Sequence, residues 1–354
     1  MGWRGGGTVG RVRVPVAILF VLSVLAAALV NNKDDRPGPV QAVLQPSTTL
    51  APPASVAETT TTAVASPAVT NLVTTLPPPP PVPANQARVL VSKAGVVLPI
   101  QAQAANGQWR VTTPCGNTAL ASGTPMGPVQ VVLDPGHGGA EPGAMGPNGL
   151  TEKALNLAVT QRVKAALERS GVTVVLTRTA DYRMTLESRA RVALAVHPSA
   201  FVSIHHNAEP DGPFPRPGTE TYYQVATPES KRLAGLIYEE VVKALSQYQV
   251  PWVADTDAGA KYRKNTSGDD YYGILRRTHG VVGALGELAF ITDGAEADLL
   301  ARPDVQQVEG EAVARGIVRF LTTKDPGSGF TEPYPRTSPA GNGGGASNCI
   351  DPAL

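Results

Sequence analysis

The sequence has almost no net charge, very little cysteine and no internal repeat. Its 30 lysines and arginines nearly cancel its 29 aspartates and glutamates over 354 residues. With no basic stripe either, this balance argues against a nucleic-acid-binding protein. The two cysteines are Cys115 and Cys349, so the N-terminal region has no thiol for a lipoprotein anchor. In an oxidising compartment they could pair in a disulfide; the alternative is two free thiols.

The first 35 residues have the layout of an export signal. Basic residues between Arg4 and Arg13 precede an apolar run, Val14–Val30, which is followed by a polar segment. A membrane-spanning helix needs about 17–25 residues, so the run is at the short end. Ala26–Ala28 could serve as a cleavage site. A cleaved signal peptide and an uncleaved signal anchor both stay open, and we favour the anchor because a long linker follows. Both place the chain after Asn31 outside the cytoplasm, at the cell envelope.

Three segments flank or precede one central region. Residues 36–87 are rich in Pro, Thr, Ala, Val and Ser without periodicity, which predicts a disordered, semi-rigid linker with polyproline II character. Residues 88–124 contain short β-type segments, which predict either a piece of a small SH3-like module or a hairpin packed on the next domain. Residues 325–354 are rich in Gly, Pro, Asn and Ser, and we expect this C-terminal tail to be disordered.

Residues 129–324 predict a single α/β catalytic domain. Strands are expected at Val129–Leu133, Val172–Thr177, Phe201–His205, Gly218–Gln224 and Val282–Leu288. Helices are expected at Glu152–Ser170, Leu186–Val196, Glu229–Leu245 and Ala301–Leu321. The alternation of strands and helices implies a mostly parallel, twisted central sheet with helices on both faces. A domain of about 195 residues can bury a self-sufficient core.

The most informative stretch is VQVVLDPGHGG at residues 129–139. A mostly β-branched, apolar strand leads directly into His137, and the neighbouring glycines let the backbone pass close to a bound group. A histidine on the loop after a buried strand lies where α/β folds place their chemistry. Taken alone, His137 is as consistent with an ordinary loop residue as with a metal ligand.

Further charged residues occur at comparable positions downstream. Glu152 lies in the first turn of a predicted helix, His205 ends the strand FVSIH, and Glu287 lies near the end of VVGALGELAF. Strand ends gather at the carboxyl edge of the sheet, so we expect these residues to meet His137 there. Two histidines and one glutamate leave an open position on a tetrahedral Zn²⁺, as in catalytic sites. Glu141 is the rival of Glu152 as carboxylate ligand, although its Gly/Pro-rich surroundings offer no rigid support.

Glu287 is a charged residue inside an otherwise apolar strand. Burying it without a function would be unfavourable. Zinc would lower the pKa of a bound water to about 7 and polarise a carbonyl. A free carboxylate is then needed to take the proton of the water and pass it to the leaving nitrogen, a role that suits Glu287. The alternative is a core salt bridge to an arginine such as Arg276.

Of the two adjacent histidines, only one is expected to be a ligand. Consecutive strand residues point to opposite faces, so we assign His205 to the site and expect His206 to line the rim or pack on a helix. His197 and His279 are interpreted as loop residues.

Taken in order, these segments resemble the zinc-dependent N-acetylmuramoyl-L-alanine amidases of bacterial cell walls, the amidase 3 family. The matching pieces are VVLDPGHGG, PGAMGPNGLTEKALNLAV, VVLTRTADYRMTLESRARVA, FVSIHHNA, GTETYY, YYGILRRT and VVGALGELAFITDGAEADLL. The resemblance implies a zinc held by His137, Glu152 and His205, with Glu287 as catalytic carboxylate. It also implies hydrolysis of the amide between the lactyl group of N-acetylmuramic acid and L-alanine of the stem peptide, in cell-wall remodelling, daughter-cell separation or turnover.

The sequence departs from the family pattern in small ways. His206 stands where the family usually has a small residue, and Asp293-Gly294 where it often has Asn-Pro. The long inhibitory helix of some members is not evident, because residues 250–278 resemble a polar loop, and this favours a site that is open without an activator. The linker, the N-terminal signal and the β-rich segment fit an actinobacterial envelope protein.

Two other functions stay open. A zinc peptidase cutting within the stem peptide would share the metal chemistry and differ only in its pocket. A non-catalytic peptidoglycan-binding regulator would be expected to lose one of the four site residues, and all four are present. A glycosidase is disfavoured, since it would use two close carboxylates without metal ligands. We expect a monomer whose partners are peptidoglycan or muropeptides, and the membrane if the N-terminal segment is retained; no substrate-binding residue is assigned.

Overall fold

A computed structural model describes residues 82–333 and 344–354 of the chain. The N-terminal signal or anchor at residues 1–35 and nearly all of the linker at 36–87 lie outside the described residues. Among the helices within the described ranges, none has the length and apolar character needed to cross a bilayer.

After a short 3-10 helix at Ala84–Gln86, the chain forms a five-stranded antiparallel sheet. Its strands are β1 (Val89–Ser92), β2 (Val97–Gln103), β3 (Trp109–Thr112), β4 (Thr118–Ala121) and β5 (Gly123–Met126), in the spatial order β4-β3-β2-β1-β5. Leu90, Leu98, Trp109 and Val111 form its own buried cluster. The β-rich segment expected at 88–124 is therefore a complete small sheet that extends to Met126.

Eight further strands follow. They are β6 (Val131–Pro135), β7 (Val174–Leu176), β8 (Ala200–Asn207), β9 (Gly212–Phe214), β10 (Glu220–Tyr223), β11 (Trp252–Ala254), β12 (Ala260–Lys261) and β13 (Gly283–Phe290). Strands β9 and β11 form a separate antiparallel pair. The other six make the central sheet in the order β12-β10-β13-β8-β6-β7. Its pairings are parallel except that β10 runs antiparallel to β13. The expectation of a mostly parallel central sheet is confirmed.

Helices cover both faces of this sheet. They are α1 (Glu152–Arg169), α2 (Leu186–Val196), α3 (Pro228–Leu245), α4 (Gly273–Arg277), α5 (Gly294–Leu300) and α6 (Pro303–Thr322). Apolar residues of α1, α3 and α6 share one buried cluster with the strands, whereas α2 and α4 belong to a second cluster. The predicted single α/β domain is thus confirmed, and the ends of the predicted helices and strands differ from the observed ones by at most two residues.

The second buried cluster also explains how the small antiparallel sheet is attached. Val89 and Val97, on β1 and β2, pack with Val192 and Val196 of α2. Residues 250–278, interpreted from sequence as a loop, contain three short elements, namely β11, β12 and α4. These elements are too short to produce a clear periodicity, which is why the sequence pattern did not indicate them.

The C-terminal tail is not disordered where the structure describes it. Ala260 forms a β-bridge with Phe330, so residues 325–333 lie against the edge of the central sheet. In residues 344–354, the carbonyl of Gly344 accepts a hydrogen bond from the backbone of Leu186 at 2.9 Å. The expectation of disorder from composition is therefore wrong for these two stretches.

A covalent bond and one aspartate account for the order of the last residues. Cys115 and Cys349 form a disulfide, as the sequence analysis allowed. Two residues later, the carboxylate of Asp351 accepts hydrogen bonds from the backbone of Cys115, the hydroxyl of Thr113 and the side-chain amide of Asn117. Amino-acid composition gives no information about such contacts between residues that are distant in the sequence.

Candidate metal centre

The loop after β6 brings His137 to the carboxyl edge of the sheet. His137 itself has φ 60°, a left-handed conformation that side chains other than glycine rarely adopt. A Cβ atom on Gly136 would lie 2.2 Å from the ring of His205, and one on Gly138 would lie 2.3 Å from the carbonyl of Tyr182. The glycines around His137 are therefore required by close packing against the protein's own groups, one of which is the second predicted ligand.

Two buried arginines hold this loop. Arg189 donates to the carbonyl of His137 at 2.5 Å and forms an ion pair with Asp134 at 2.7 Å. Arg178 donates to the carbonyl of Gly136 at 2.8 Å. Burial raises the pKa of Asp134, but the charge of Arg189 together with hydrogen bonds from Thr177, Arg189 and Ser203 outweighs it, and the net shift is downward. Sequence reasoning missed both arginines, although a charged residue at the end of an apolar strand is a signal for a buried partner.

Three of the predicted site residues converge. Glu152 Oε2 lies 3.0 Å from His137 Nε2, and Glu152 Oε1 lies 2.9 Å from His205 Nδ1. One donor atom from each residue lies within 4.8 Å of the other two. The structure therefore brings together two imidazoles and one carboxylate from β6, α1 and β8, as the sequence analysis expected.

The protonation tendencies of the three groups differ: those of Glu152 and His205 favour a bound cation, whereas His137 must first release a proton. Burial raises the pKa of Glu152, but the hydrogen bonds from His137 and His205 outweigh it and hold this pKa well below its usual value. Burial lowers the pKa of His137, but Glu141 and Glu152 outweigh it and raise the pKa to about 9. For His205 burial prevails, and its pKa is lowered. An ionised, nearly buried carboxylate between two imidazoles is a donor set that fits Zn²⁺.

Glu141 lies on the other side of the His137 ring. Its Oε1 is 3.6 Å from His137 Nδ1, whereas Glu152 faces Nε2. Arg183 lies 4.0 Å from the other oxygen of Glu141. Glu141 is therefore placed to orient the ring from behind and does not join the three converging donors.

Glu287 lies on β13 beside this cluster. In the sheet it is the register partner of His205 on β8 and of Glu220 on β10. Its Oε2 is buried and has no hydrogen-bond partner among the described residues. Burial, followed by the neighbouring carboxylates of Glu152 and Glu220, raises the pKa of Glu287 well above its usual value. The alternative salt bridge is not formed, because Arg276 donates to backbone carbonyls of residues 270 and 271.

The side chains of the remaining histidines do not join the converging donors. His206 is buried, with Nδ1 2.8 Å from Asn156 on α1, so the expectation that it packs on a helix is confirmed. His197 ends α2 in a left-handed conformation, and His279 pairs with Asp270 at 2.7 Å.

A cavity of about 110 Å³ is lined by His137 and His205. Its wall includes apolar side chains and one residue of the tail, which the sequence did not indicate: Met184, Leu186, Ile274 and Gly344. A larger groove of about 380 Å³ on α3 and α6 is lined by none of the four predicted site residues.

A second group of carboxylates, formed by Glu220, Asp255 and Asp257, resembles a metal site only superficially. The ammonium of Lys261 lies 2.6 Å from Glu220 and 2.5 Å from Asp257. This cluster is thus a buried ion-pair network with its own cation.

Comparison with known proteins identifies the family of the chain. Residues 131–319 match the family model Amidase_3, described as N-acetylmuramoyl-L-alanine amidase. An uncharacterized protein of Bacillus subtilis, YqiI, is 36% identical over 206 residues, which is 58% of this chain and 88% of that protein. The germination-specific N-acetylmuramoyl-L-alanine amidase of the same organism is 30% identical over 216 residues, covering 55% of this chain and 80% of that protein.

Two solved structures are similar to part of this chain. The catalytic domain of CwlV, an N-acetylmuramoyl-L-alanine amidase from Bacillus (Paenibacillus) polymyxa var. colistinus, is 30% identical to it. The match covers 55% of this chain and 99% of the CwlV chain, with a TM-score of 0.46. The amidase AmiC2 of Nostoc punctiforme is 33% identical and covers 55% of this chain and 97% of that chain, also with a TM-score of 0.46.

Proposed function

Since the chain belongs to the Amidase_3 family of N-acetylmuramoyl-L-alanine amidases, whose model matches more than half of its length, we propose that it hydrolyses the bond between N-acetylmuramic acid and L-alanine in peptidoglycan. The observation that carries this proposal is the convergence of His137, Glu152 and His205, with Glu287 in register beside them. A non-catalytic regulator is disfavoured, because no member of the set is missing.

His137, Glu152 and His205 would hold Zn²⁺ through two nitrogens and one oxygen, which leaves a coordination position open. When bound, zinc supplies Lewis acidity toward a carbonyl oxygen and a water molecule. The chain's contribution is to keep the donors in place. Arg189 anchors the backbone of His137, and Glu141 lies at the back of its ring.

Glu287 would move the proton. Its carboxylate takes a proton from the attacking water and then gives it to the amide nitrogen as the C–N bond breaks. The products are the lactyl carboxylate of N-acetylmuramic acid and the free amino group of L-alanine. Burial raises the pKa of Glu287, which favours the protonated form that gives its proton to the leaving nitrogen.

An extracytoplasmic location at the cell envelope follows from the same proposal. Peptidoglycan lies outside the cytoplasm, and the disulfide between Cys115 and Cys349 is typical of an oxidising compartment. The export layout of the first 35 residues supports the same location.

The test is digestion of purified peptidoglycan and of muramyl dipeptide by the full chain, with and without a chelator, followed by mass spectrometry. We expect N-acetylmuramic acid and a peptide that begins with L-alanine, and we expect the chelator to abolish both. Cleavage within the stem peptide would instead identify a zinc peptidase. Absence of any product, with the protein folded and zinc supplied, would contradict an enzymatic function.

A further inference from the structure

A line of buried polar side chains lies behind the candidate metal centre. It runs from Glu309 on α6 through His206 on β8 and Asn156 on α1 to the carboxylate of Glu152. The first three residues are at most 1% exposed. His206 Nε2 lies 3.5 Å from Glu309 Oε1, His206 Nδ1 lies 2.8 Å from Asn156 Oδ1, and Asn156 Nδ2 lies 3.1 Å from Glu152 Oε1. The mechanism proposed above uses neither His206 nor Glu309.

The direction of each hydrogen bond in this line follows from Glu152. An ionised Glu152 only accepts hydrogen bonds, so Asn156 must present its amide NH₂ group to it. The amide oxygen of Asn156 then faces His206 Nδ1, which must carry a hydrogen and donate it. The reverse orientation of Asn156 would place two oxygens against each other. The amide is therefore held in one orientation by a partner at each end.

Glu309 completes the line at the other end. Both of its oxygens, and His206 Nε2, are buried without a hydrogen-bond partner among the described residues. Leaving such groups unpaired is unfavourable. His206 Nε2 and Glu309 Oε1 face each other at 3.5 Å, so each is the polar group that folding places against the other. This contact restrains the imidazole ring, which in turn restrains Asn156.

The line ends at the carboxylate of Glu152, whose rotation is already restrained by other hydrogen bonds. Glu152 Oε1 accepts from Asn156 and from the backbone N–H of His206 at 3.3 Å, while Oε2 accepts from the backbone of Ala144 at 2.9 Å. These contacts set the rotation of the carboxylate, and hence the directions in which its oxygens face the two ligand histidines. Strand β8 thus carries a ligand, His205, on one face and the support of another ligand, His206, on the opposite face.

We propose that His206 and Glu309 are positioning residues that set the affinity of the centre for zinc by orienting Glu152 through Asn156. The proposal rests on the metal-binding role proposed for Glu152. Partners that orient a metal ligand from outside the coordination sphere typically change metal affinity about 10–100-fold when they are removed.

The test is the zinc affinity of the full chain, measured by competition with a chromophoric chelator. The variants are His206→Ala, Glu309→Ala and the conservative His206→Gln, whose amide can donate to Asn156. The matched control is Gln306→Ala, because Gln306 also lies on α6 and is mostly buried, and its side chain donates to the carbonyl of Leu300 instead. Thermal unfolding of the metal-free proteins reports the structural effect of each change, and the visible spectrum of the Co²⁺-loaded proteins reports ligand geometry.

We expect His206→Ala and Glu309→Ala to weaken zinc binding about 10–100-fold and to shift the Co²⁺ spectrum. His206→Gln should recover part of the affinity, and Gln306→Ala should lower the unfolding temperature with zinc affinity unchanged. If either alanine variant fails to fold, the other and His206→Gln still decide the question. Wild-type zinc affinity in both alanine variants overturns the positioning role alone, whereas a wild-type chain that binds no zinc overturns the proposed metal site as well.

Discussion

Glu287 lies directly opposite His205 in the parallel pairing of β13 with β8. This register places the proposed proton carrier beside a proposed metal ligand, although the two strands are separated in the chain by α3 and α4. On its other side Glu287 is in register with Glu220, which forms an ion pair with Lys261. The strand order therefore determines which carboxylate lies beside His205.

Replacing a ligand histidine should remove zinc without unfolding the protein. We expect His137→Ala and His205→Ala to lose bound zinc and all amidase activity. The fold should persist, because the core under the site consists of apolar residues such as Val131 and Val202 and does not depend on the metal. Metal content by atomic spectroscopy and the far-UV circular dichroism spectrum check the two parts. Full zinc occupancy in His205→Ala would contradict the assignment of strand faces.

Replacing the proposed proton carrier should separate binding from chemistry. Glu287→Gln keeps the shape of the side chain and removes the proton acceptor. We expect zinc to stay bound and turnover of a muropeptide to fall by about 10²–10⁴-fold, the usual contribution of general acid–base catalysis. Loss of zinc would make Glu287 a ligand, and unchanged turnover would remove it from the mechanism.

Zinc binding should depend on pH through His137. In the metal-free protein its pKa is raised to about 9, so the ring is protonated at neutral pH and must release a proton before it can bind a metal. Zinc affinity should therefore rise with pH until about 9 and level off above it. Titrations between neutral and alkaline pH, in buffers of different ionisation enthalpy, measure both the affinity and the proton released.

The matched variant for this pH dependence is Glu141→Gln. Burial lowers the pKa of His137, and Glu141 is among the carboxylates that outweigh this effect. Removing its charge should move the plateau of zinc affinity to a lower pH. A pH profile identical to that of the wild type would show that Glu141 has no influence on the ring.

The disulfide should stabilise the folded protein. Cys115 and Cys349 are separated by 234 residues, and Asp351 accepts hydrogen bonds at the same place. We expect Cys349→Ser to lower the free energy of unfolding by about 2–4 kcal/mol, the typical contribution of a native disulfide. The exposed Ile350 offers a control, because Ile350→Ala changes the same segment without breaking the link. Non-reducing peptide mapping of exported material that finds an unlinked Cys349 peptide would contradict the pairing.

The linker predicted at residues 36–87 ends in the folded part, where Ala87 is buried in the small sheet, so the test concerns the part before residue 82, which should have no role in the chemistry. Shortening it is expected to leave the turnover of a soluble muropeptide unchanged, because a spacer affects only reach. Reduced turnover of that small substrate would show that the segment contributes to the site.

The local sequence pattern predicted most of the helices and strands and the four site residues. The apolar periodicity of Leu155, Val159 and Val163 predicted α1, because residues three and four apart share a helix face and all three are buried. A charged residue at the end of an apolar strand was enough to single out His205 and Glu287. Such signals depend on neighbours in the chain, so the sequence contains them in full.

What only the tertiary structure decided depends on partners that are distant in the sequence. Glycine-rich composition indicated a disordered tail, but a disulfide and Asp351 attach its last residues to the loop around Thr113. The buried contact between His206 and Glu309 likewise joins β8 to α6. Each residue alone has an ordinary local pattern, and its role appears only when folding removes water from both partners and makes an unpaired polar group unfavourable.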